Sequence, residues 1–547
     1  MNKKAHSTGR VLLISGAIAL SLIILSLIFF QRQINGRAQP ENVPAREQTS
    51  GSEANNRAQP PASFVLSDAP ADRELRSRID GLIDSSSLNS ARWGLFIMSV
   101  RDGRVLHARD AGYGFTPASN MKVYTTAIAL DLLGASYRWR TSLYSATAPE
   151  PDGTINGDLI LYGRGQPDMA IENKDGQHKS SLGVLADELY RRGVRRVRGN
   201  VIGDESYFRG EPLGNGWLWN DVQWYFGAEP SALTVGGNEV TLNIAPAAKP
   251  GEPARIKLEP ETDYVRLVNE TMSVERGQPA TIGINRGLSD NVVRVWGDFP
   301  LGGRGFNARL SVHQPALWAA RLLREELRVR GIAVEGEARV RNARDTSERE
   351  RFNPQSAVEL ASTNGQTLGE IASAVNKESL NLESELMLRT LGKEKGATAP
   401  DADARKMLTR GDDEAGLAVI RKWLDNSGVP ARNLSLHDGS GLSRLNLVTP
   451  EATGRLLAAM TKSPAAGIFR DSLPVAGRDG TLRSRLRAAS ERIVAKTGTL
   501  TYTSSLSGYA VTGDGELLAF SIMCNNEATP NSSSIPIIDA IALLLTT

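Results

Sequence analysis

The chain has 547 residues, 40% of them hydrophobic and 23% charged, which is long and apolar enough for a large core and more than one domain. Its 64 basic and 61 acidic side chains leave a net charge of +3, intermixed along the sequence, and this excludes the basic footprint of a nucleic-acid binder. A single cysteine, Cys524, excludes any disulfide within the chain, and the five histidines form no metal-ligand spacing such as HExxH.

The first element is the uncharged run VLLISGAIALSLIILSLIFF, residues 11–30. Twenty residues in a helix rise about 30 Å, the thickness of a bilayer core. A cleaved signal peptide is the competing reading, but its apolar region is shorter, about 7–15 residues, and is followed by a small-x-small site. The run ends instead in Phe29-Phe30-Gln31-Arg32. The expectation is therefore an uncleaved transmembrane anchor preceded by a tail over 1–10. Residues 31–63 carry RAQP twice and almost no large apolar side chains, as in a disordered linker.

A soluble body follows from 64. ARWGLFIMSVRDGRVLHARD reads as a hairpin turning at Asp102-Gly103. FTPASNMKVYTTAIALDLLG opens an apolar helix. Over the next two hundred residues GDLILYG, EVTLNIAP and NVVRVWGDF read as strands. From about 350 the pattern turns helical, with apolar residues at 368, 371, 372 and 375. Two strands around Gly513-Asp514-Gly515 and a final helix close the chain. Cys524 falls in the second of these strands as a small buried hydrophobe. The order predicts one α/β domain, 64–145 joined to 350–547, split by a β-rich insertion over 146–349.

Three short motifs carry the chemistry. Ser119 and Lys122, three apart, share one helical face. Burial or a neighbouring cation lowers a lysine's pKa enough for it to act as base to a serine nucleophile. Read alone, the same residues are a helix cap and a solvated lysine. Ser379 and Asn381 lie at a break between two helical patterns. Ser-x-Asn also occurs at Ser87, Ser289 and Ser362, but Ser289-Asp290-Asn291 enters a strand with no helical pattern around it. Lys496, Thr497 and Gly498 lie on a candidate edge strand, where a backbone can pair with an extended peptide and a cation and a hydroxyl can meet a carboxylate. Gly498 gives a backbone that an acyl group can approach.

SxxK, SxN and KTG in this order form the signature of penicillin-recognising serine acyltransferases. FTPASNMKVYTTAIALDLLG, NKESLNLESELMLRTLG, HDGSGLSRLNLVTP, LPVAGRDGTLRSRL and AKTGTLTYTSSLSGYAVT resemble the class C, low-molecular-mass penicillin-binding proteins, the D-alanyl-D-alanine carboxypeptidase/endopeptidase family. YFGAEPSALTVGGNEVTLNIAP resembles part of that family's inserted domain. The long gap between Ser119 and Ser379 also fits that family, in which extra domains separate the first two motifs.

The resemblance implies a penicillin-binding/β-lactamase-like fold, an antiparallel sheet flanked by helices, with no metal and no cofactor. It implies Ser119 as nucleophile and Lys122 as its base. Ser379 would relay a proton to the leaving amine, while Asn381 holds Lys122 and the substrate amide. Lys496 and Thr497 would bind the substrate carboxylate, and the N–H groups of Ser119 and Thr499 would form the oxyanion hole. Peptidoglycan stem peptides are the implied substrate, β-lactams the implied covalent inhibitors, and the outer side of the cytoplasmic membrane the implied location. One departure concerns the substrate's side chain. Where the family often carries an acid in a GDP turn, this chain has GRGQP, with Gln166 in that place and Asp168 two residues on. Arg444 in SGLSR would meet a carboxylate at the same end, or else is a surface charge. A β-lactamase would need a further carboxylate for deacylation, and the sequence marks none.

Overall fold

The computed structural model describes residues 64–171, 180–344, 352–396, 411–527 and 534–547. The expected anchor over 11–30 and the linker lie outside them. Among the described residues no helix is long and apolar enough to cross a membrane.

The central sheet has five antiparallel strands in the order Ile493–Leu500, Thr503–Val511, Leu517–Asn525, Arg92–Ser99, Val105–Arg109. It joins the two ends of the sequence, and both its faces are covered. Side chains of a strand alternate between faces. Leu95, Ile97, Phe520 and Ile522 therefore pack in a core with Ile79 and Ile541 from the helices Pro70–Asp84 and Ile535–Leu544. Phe96, Met98, Ala519 and Met523 pack on the other side, with Tyr124 and Leu456. This two-sided burial is why LFIM reads as a continuous apolar run. Cys524 is fully buried in the first of these cores, and burial pushes its thiol up to about 12.

The helix Met121–Leu133 runs behind the sheet and is buried from Met121 to Leu130. It ends at Gly134, whose φ of +85° suits only glycine. From there the chain enters a second five-stranded sheet in the order Ala338–Arg341, Val201–Asp204, Leu159–Tyr162, Arg138–Ser145, Val358–Thr367. Its first and last strands in sequence, Arg138–Ser145 and Val358–Thr367, pair antiparallel with each other. Exit and return are thus neighbours. Strand pairing draws the limits of the insertion outward, from 146 and 349 to Gly134 and Thr367. Thr367 caps the next helix, Leu368–Glu378, in a reciprocal box with Glu370.

The insertion is also less purely β than its sequence suggests. The helices Ser181–Arg191 and Pro315–Val329 pack on its sheet through Leu185, Leu189, Ala319 and Leu323. Two three-stranded sheets, built from residues 239–311, close around Val240, Leu242, Val293, Val295 and Trp318.

Candidate active site

Four segments converge at one end of the central sheet. A 3₁₀ turn, Ala118–Asn120, leads into the buried helix and carries Ser119 at its middle. Ser379 is the residue between the helices Leu368–Glu378 and Asn381–Lys395, and its φ of +61° puts it in the left-handed region. That strained break holds its hydroxyl 3.0 Å from Lys496 Nζ. Lys496–Thr499 lie on the outermost strand of the central sheet. Val475 bridges Val494 at the start of that strand, and the sheet pairs the residues beyond on one side only. The fourth segment, His437–Ser443, forms a tight loop.

Lys122 Nζ lies 3.0 Å from Ser119 Oγ. It donates to Asn381 Oδ1 at 2.6 Å and to the Ser440 carbonyl at 2.7 Å. The side chain is wholly buried, and desolvation pulls its pKa down to about 8, against the upward pull of Asp438, Glu385 and Glu383. Asn381 Nδ2 donates to the Phe226 carbonyl at 2.9 Å, so the amide presents its oxygen to the lysine. Lys496 Nζ donates to Ser379 Oγ at 3.0 Å and to the Thr497 carbonyl at 2.9 Å. Burial, and secondarily the charge of Lys122, hold Lys496 well below the usual lysine range.

Thr497 is buried, and its hydroxyl donates to Thr481 Oγ1 at 2.8 Å. Thr481 belongs to a loop tied down by the ion pair of Lys377 and Asp479, 2.6 Å apart. Thr499 is exposed on the strand's outer side. Gly498 answers to the protein before any substrate. A Cβ there would sit 2.3 Å from Ser505 Oγ and 2.6 Å from the Pro117 carbonyl, so glycine lets the strand abut the turn that carries Ser119. The same seam is closed by Ser505 Oγ donating to the Pro117 carbonyl at 2.7 Å.

The motif side chains thus form two hydrogen-bonded sets, Lys122 with Ser119 and Asn381 and Lys496 with Ser379, whose lysines feel each other's charge. The structure adds residues to which sequence reasoning assigned no role. Asp438 accepts from the Gly441 and Ser443 N–H groups at 2.8 and 2.6 Å and from Trp217 Nε1 at 3.0 Å. Glu385 accepts from the Ser440 N–H at 2.7 Å. Together they hold the loop so that the Ser440 carbonyl faces Lys122. Burial and the neighbouring Asp438 push Glu385 up to about 8. The signals in the sequence were a second acid in LESE and the turn in HDGSG. Neither carries a role until a tertiary partner is known.

The residues considered for the side-chain end of the site lie in different places. Gln166 is buried in the insertion, where it bridges Leu233 and lies under Gly365. Asp168 beside it accepts from the Gln366 N–H at 2.7 Å. The strand pairing that fixes this corner turns both toward the insertion's own sheet, and among the described residues neither hydrogen-bonds to a motif residue. Asp221, from the inserted loop, feels the charge of Arg444. Half-burial raises its pKa, and the Arg444 charge is the opposing influence. Arg444 also donates to the Thr501 carbonyl, 3.3 Å away at the end of the motif strand.

A family model described as the D-Ala-D-Ala carboxypeptidase 3 (S13) family matches residues 75–547. A D-alanyl-D-alanine carboxypeptidase of Actinomadura is 34% identical over 499 residues, covering 88% of this chain and 87% of that protein. The D-alanyl-D-alanine carboxypeptidase DacB of Haemophilus influenzae is 24% identical over 446 residues, 81% of this chain and 87% of that protein. The crystal structure of penicillin binding protein 4 from Haemophilus influenzae shares the fold, with a TM-score of 0.72 at 22% identity, over 84% of this chain and 97% of that one.

Proposed function

Because this chain belongs to the D-Ala-D-Ala carboxypeptidase 3 (S13) family, we propose how its residues divide the work of a serine D-Ala-D-Ala carboxypeptidase. The observation that carries the proposal is the surroundings of Lys122. A neutral amine has two N–H bonds and one lone pair. Asn381 Oδ1 and the Ser440 carbonyl take the two N–H bonds, which leaves the lone pair for the Ser119 hydroxyl, 3.0 Å away. With a pKa of about 8, about 9% of Lys122 is neutral at pH 7, against roughly 0.03% at the ordinary 10.5. Burial thus multiplies the available base by about 300.

Ser119 Oγ attacks the carbonyl carbon of the penultimate D-Ala and gives its proton to Lys122. The C–N bond breaks as the Ser379 hydroxyl protonates the departing D-Ala nitrogen. Lys496, 3.0 Å from Ser379, replaces that proton. In the free enzyme no carboxylate among the described residues offsets the burial of Lys496. The substrate's terminal carboxylate supplies one, which restores the charged form of the lysine on binding. After D-Ala leaves, Lys122 gives up its proton to solvent and Lys496 regains one from it. Water then attacks the acyl-enzyme, passing a proton to Lys122, which returns it to Ser119 Oγ as the ester C–O bond breaks. Backbone N–H groups of Ser119 and Thr499 stabilise the oxyanion, a contribution of about 3–4 kcal/mol per donor. The unpaired edge of the strand from Thr497 to Leu500 pairs with the peptide backbone. Asp221 and Arg444, of opposite charge, read an amine and a carboxylate at the end of the third residue's side chain.

The physiological substrate in this reading is the peptidoglycan stem peptide, and β-lactams acylate Ser119. Cross-links offer the same D-Ala carbonyl with an α-carboxylate beyond it, so endopeptidase action follows from the same centre. Residues 11–30 anchor the enzyme with its body outside the cytoplasmic membrane. Extraction by alkaline carbonate, which leaves integral proteins in the membrane, tests the anchor. For the chemistry, the full-length protein releases D-Ala from a stem pentapeptide and Ser119→Ala does not. Release that persists in this variant would refute the role given to Ser119. Mass spectrometry of cell-wall digests, following monomer and dimer peptides over time, separates the two activities.

A further inference from the structure

The inserted loop that reaches the catalytic centre is fastened to the rest of the insertion by a buried cation. Its backbone makes two consecutive turns. The Trp224 N–H donates to the Asp221 carbonyl at 3.0 Å, and the Gly227 N–H donates to the Trp224 carbonyl at 2.8 Å. Val222 and Gln223 form the middle of the first turn, Tyr225 and Phe226 the middle of the second. The second turn folds onto the first. A Cβ at Gly227 would press on the Asp221 carbonyl and come within 2.9 Å of the Val222 Cα. Asp221 and the Phe226 carbonyl, the groups that this stretch offers to the centre, therefore share one doubly turned piece of backbone.

Arg286 grips the middle of the first turn. It is the last residue of the strand Gly283–Arg286, and Ser311 is the last of Phe306–Ser311, so each of the two three-stranded sheets sends one strand end to Val222 and Gln223. One terminal nitrogen of the Arg286 guanidinium donates to the Val222 carbonyl at 2.8 Å and to Ser311 Oγ at 3.1 Å. The other donates to the Gly287 and Asp290 carbonyls at 2.8 and 3.0 Å. Ser311 Oγ donates to the same Val222 carbonyl at 2.6 Å. The Ser311 N–H reaches the Gln223 carbonyl at 3.0 Å, and the Arg286 N–H reaches Gln223 Oε1 at 3.1 Å. Arg286 is only 3% exposed, and the acceptors of its guanidinium are three carbonyls and a hydroxyl, with no carboxylate among them. Burial pulls its pKa down, with Glu229 and Asp290 as the opposing charges. A cation taken out of water against neutral acceptors costs the fold stability. What its planar fork provides is a fixed link from the turn to a sheet end through four donors.

We propose that Arg286 is a positioning residue for the reaction: by clamping the Val222 carbonyl it holds the Phe226 carbonyl against Asn381 and Asp221 toward the substrate's side chain. This rests on the roles given above to Asn381 and Asp221. In the full-length protein Arg286→Met should lower kcat for D-Ala release at least fivefold. Ser311→Ala, which takes one of two donors from Val222, should lower it two- to threefold. In Arg286→Met, KM should rise at least fivefold for a stem pentapeptide with a free amine on its third residue, and less than twofold when that amine is acetylated. Acylation by a fluorescent penicillin counts the active sites, so misfolded protein does not enter kcat. Phe299→Ala is the control. Phe299 belongs to the core between the same two sheets, six residues beyond Val293, the strand partner of Arg286, or about 20 Å away. That variant should lower the melting temperature and keep kcat and KM within twofold of wild type. Wild-type kcat in Arg286→Met, or in Ser311→Ala if Arg286→Met leaves no active sites to count, overturns the clamp. An equal loss of kcat in Phe299→Ala overturns it too, as general loosening. Lost kcat in Arg286→Met with KM shifted alike for both peptides supports the clamp on Phe226 and overturns the role of Asp221. Failure of the wild type to release D-Ala from either peptide overturns the catalytic reading with it.

Discussion

Replacing Asn381 by aspartate tests whether the base at this site is a neutral lysine. The substitution keeps the shape of the side chain and the acceptor oxygen 2.6 Å from Lys122 Nζ, but gives that oxygen a negative charge. At 2.6 Å and an effective dielectric constant of about 20, the attraction is about 6 kcal/mol, the equivalent of more than four pKa units. Even a fraction of this lifts Lys122 from about 8 to beyond the ordinary 10.5. The sign follows directly. A neighbouring anion favours the ammonium, less amine is free at neutral pH, and the rate falls. The neutral fraction at pH 7 drops from about 9% to below 0.03%, so acylation slows by about 300-fold or more. The assay is the second-order rate constant for acylation by a fluorescent penicillin between pH 6 and 11, which reports the free enzyme. Wild type should show an acid limb centred near pH 8, and Asn381→Asp a limb displaced upward by two units or more. Asn381→Ala removes the same contacts without adding a charge. It should lose rate without that upward displacement. A limb in Asn381→Asp that coincides with the wild type, or one in Asn381→Ala that moves equally far, refutes the reasoning.

Three further outcomes follow. Gly498→Ala forces a Cβ to within 2.6 Å of both Ser505 Oγ and the Pro117 carbonyl, so it should cost about 1–3 kcal/mol of stability and slow penicillin acylation at least tenfold. Chemical denaturation and acylation kinetics measure the two effects, and wild-type values in both would sink the close-approach account. Glu385→Gln keeps both backbone donors, because the Gly439 and Ser440 N–H groups converge on Oε1 at 3.0 and 2.7 Å. Burial raises Glu385 above its ordinary 4.5, so the folded state binds the proton more tightly and loses that advantage as pH rises through about 8. The wild-type melting temperature should therefore fall more steeply than that of Glu385→Gln between pH 5 and 9, and parallel curves would contradict it. Asp221→Asn should raise KM about tenfold for a stem peptide with a free amine on its third residue, and change it little when that amine is acetylated. Equal effects on both peptides would remove Asp221 from side-chain recognition.

What the sequence made legible has a common physical character. The hairpin, the buried nucleophile helix and the break at Ser379 follow from local patterns of two, 3.6 and a polar interruption, and local patterns survive tertiary packing here. The three motifs were recognisable because they are short and the chemistry constrains each residue type. The insertion's limits were not, because Arg138–Ser145 and Val358–Thr367 belong to it through a pairing across more than two hundred residues. The surroundings of Gln166 were illegible for a related reason. A position matched by turn motif says nothing of which way the turn faces, and the bridge to Leu233 aims it at Gly365. Asp221 feels the charge of Arg444 only because a loop of the insertion folds back over the catalytic domain.

That fold-back bears on why the insertion and the catalytic centre are not separable modules. One inserted loop supplies the indole that binds Asp438, the acid that feels the charge of Arg444 and the carbonyl that orients Asn381. Two of these three contacts reach the partners of Lys122, one through the Ser440 loop and one through the Asn381 amide. A buried lysine is tolerated only while its N–H groups are satisfied. Moving the loop therefore loosens the acceptors that hold the base in place, and Asp221, proposed to read the substrate side chain, sits on the same loop. Ordering of that loop by a bound side chain would tighten the base as well as the grip on substrate. The physical consequence is that a change at the recognition end is felt in kcat as well as in KM, because both ends share one short segment of backbone.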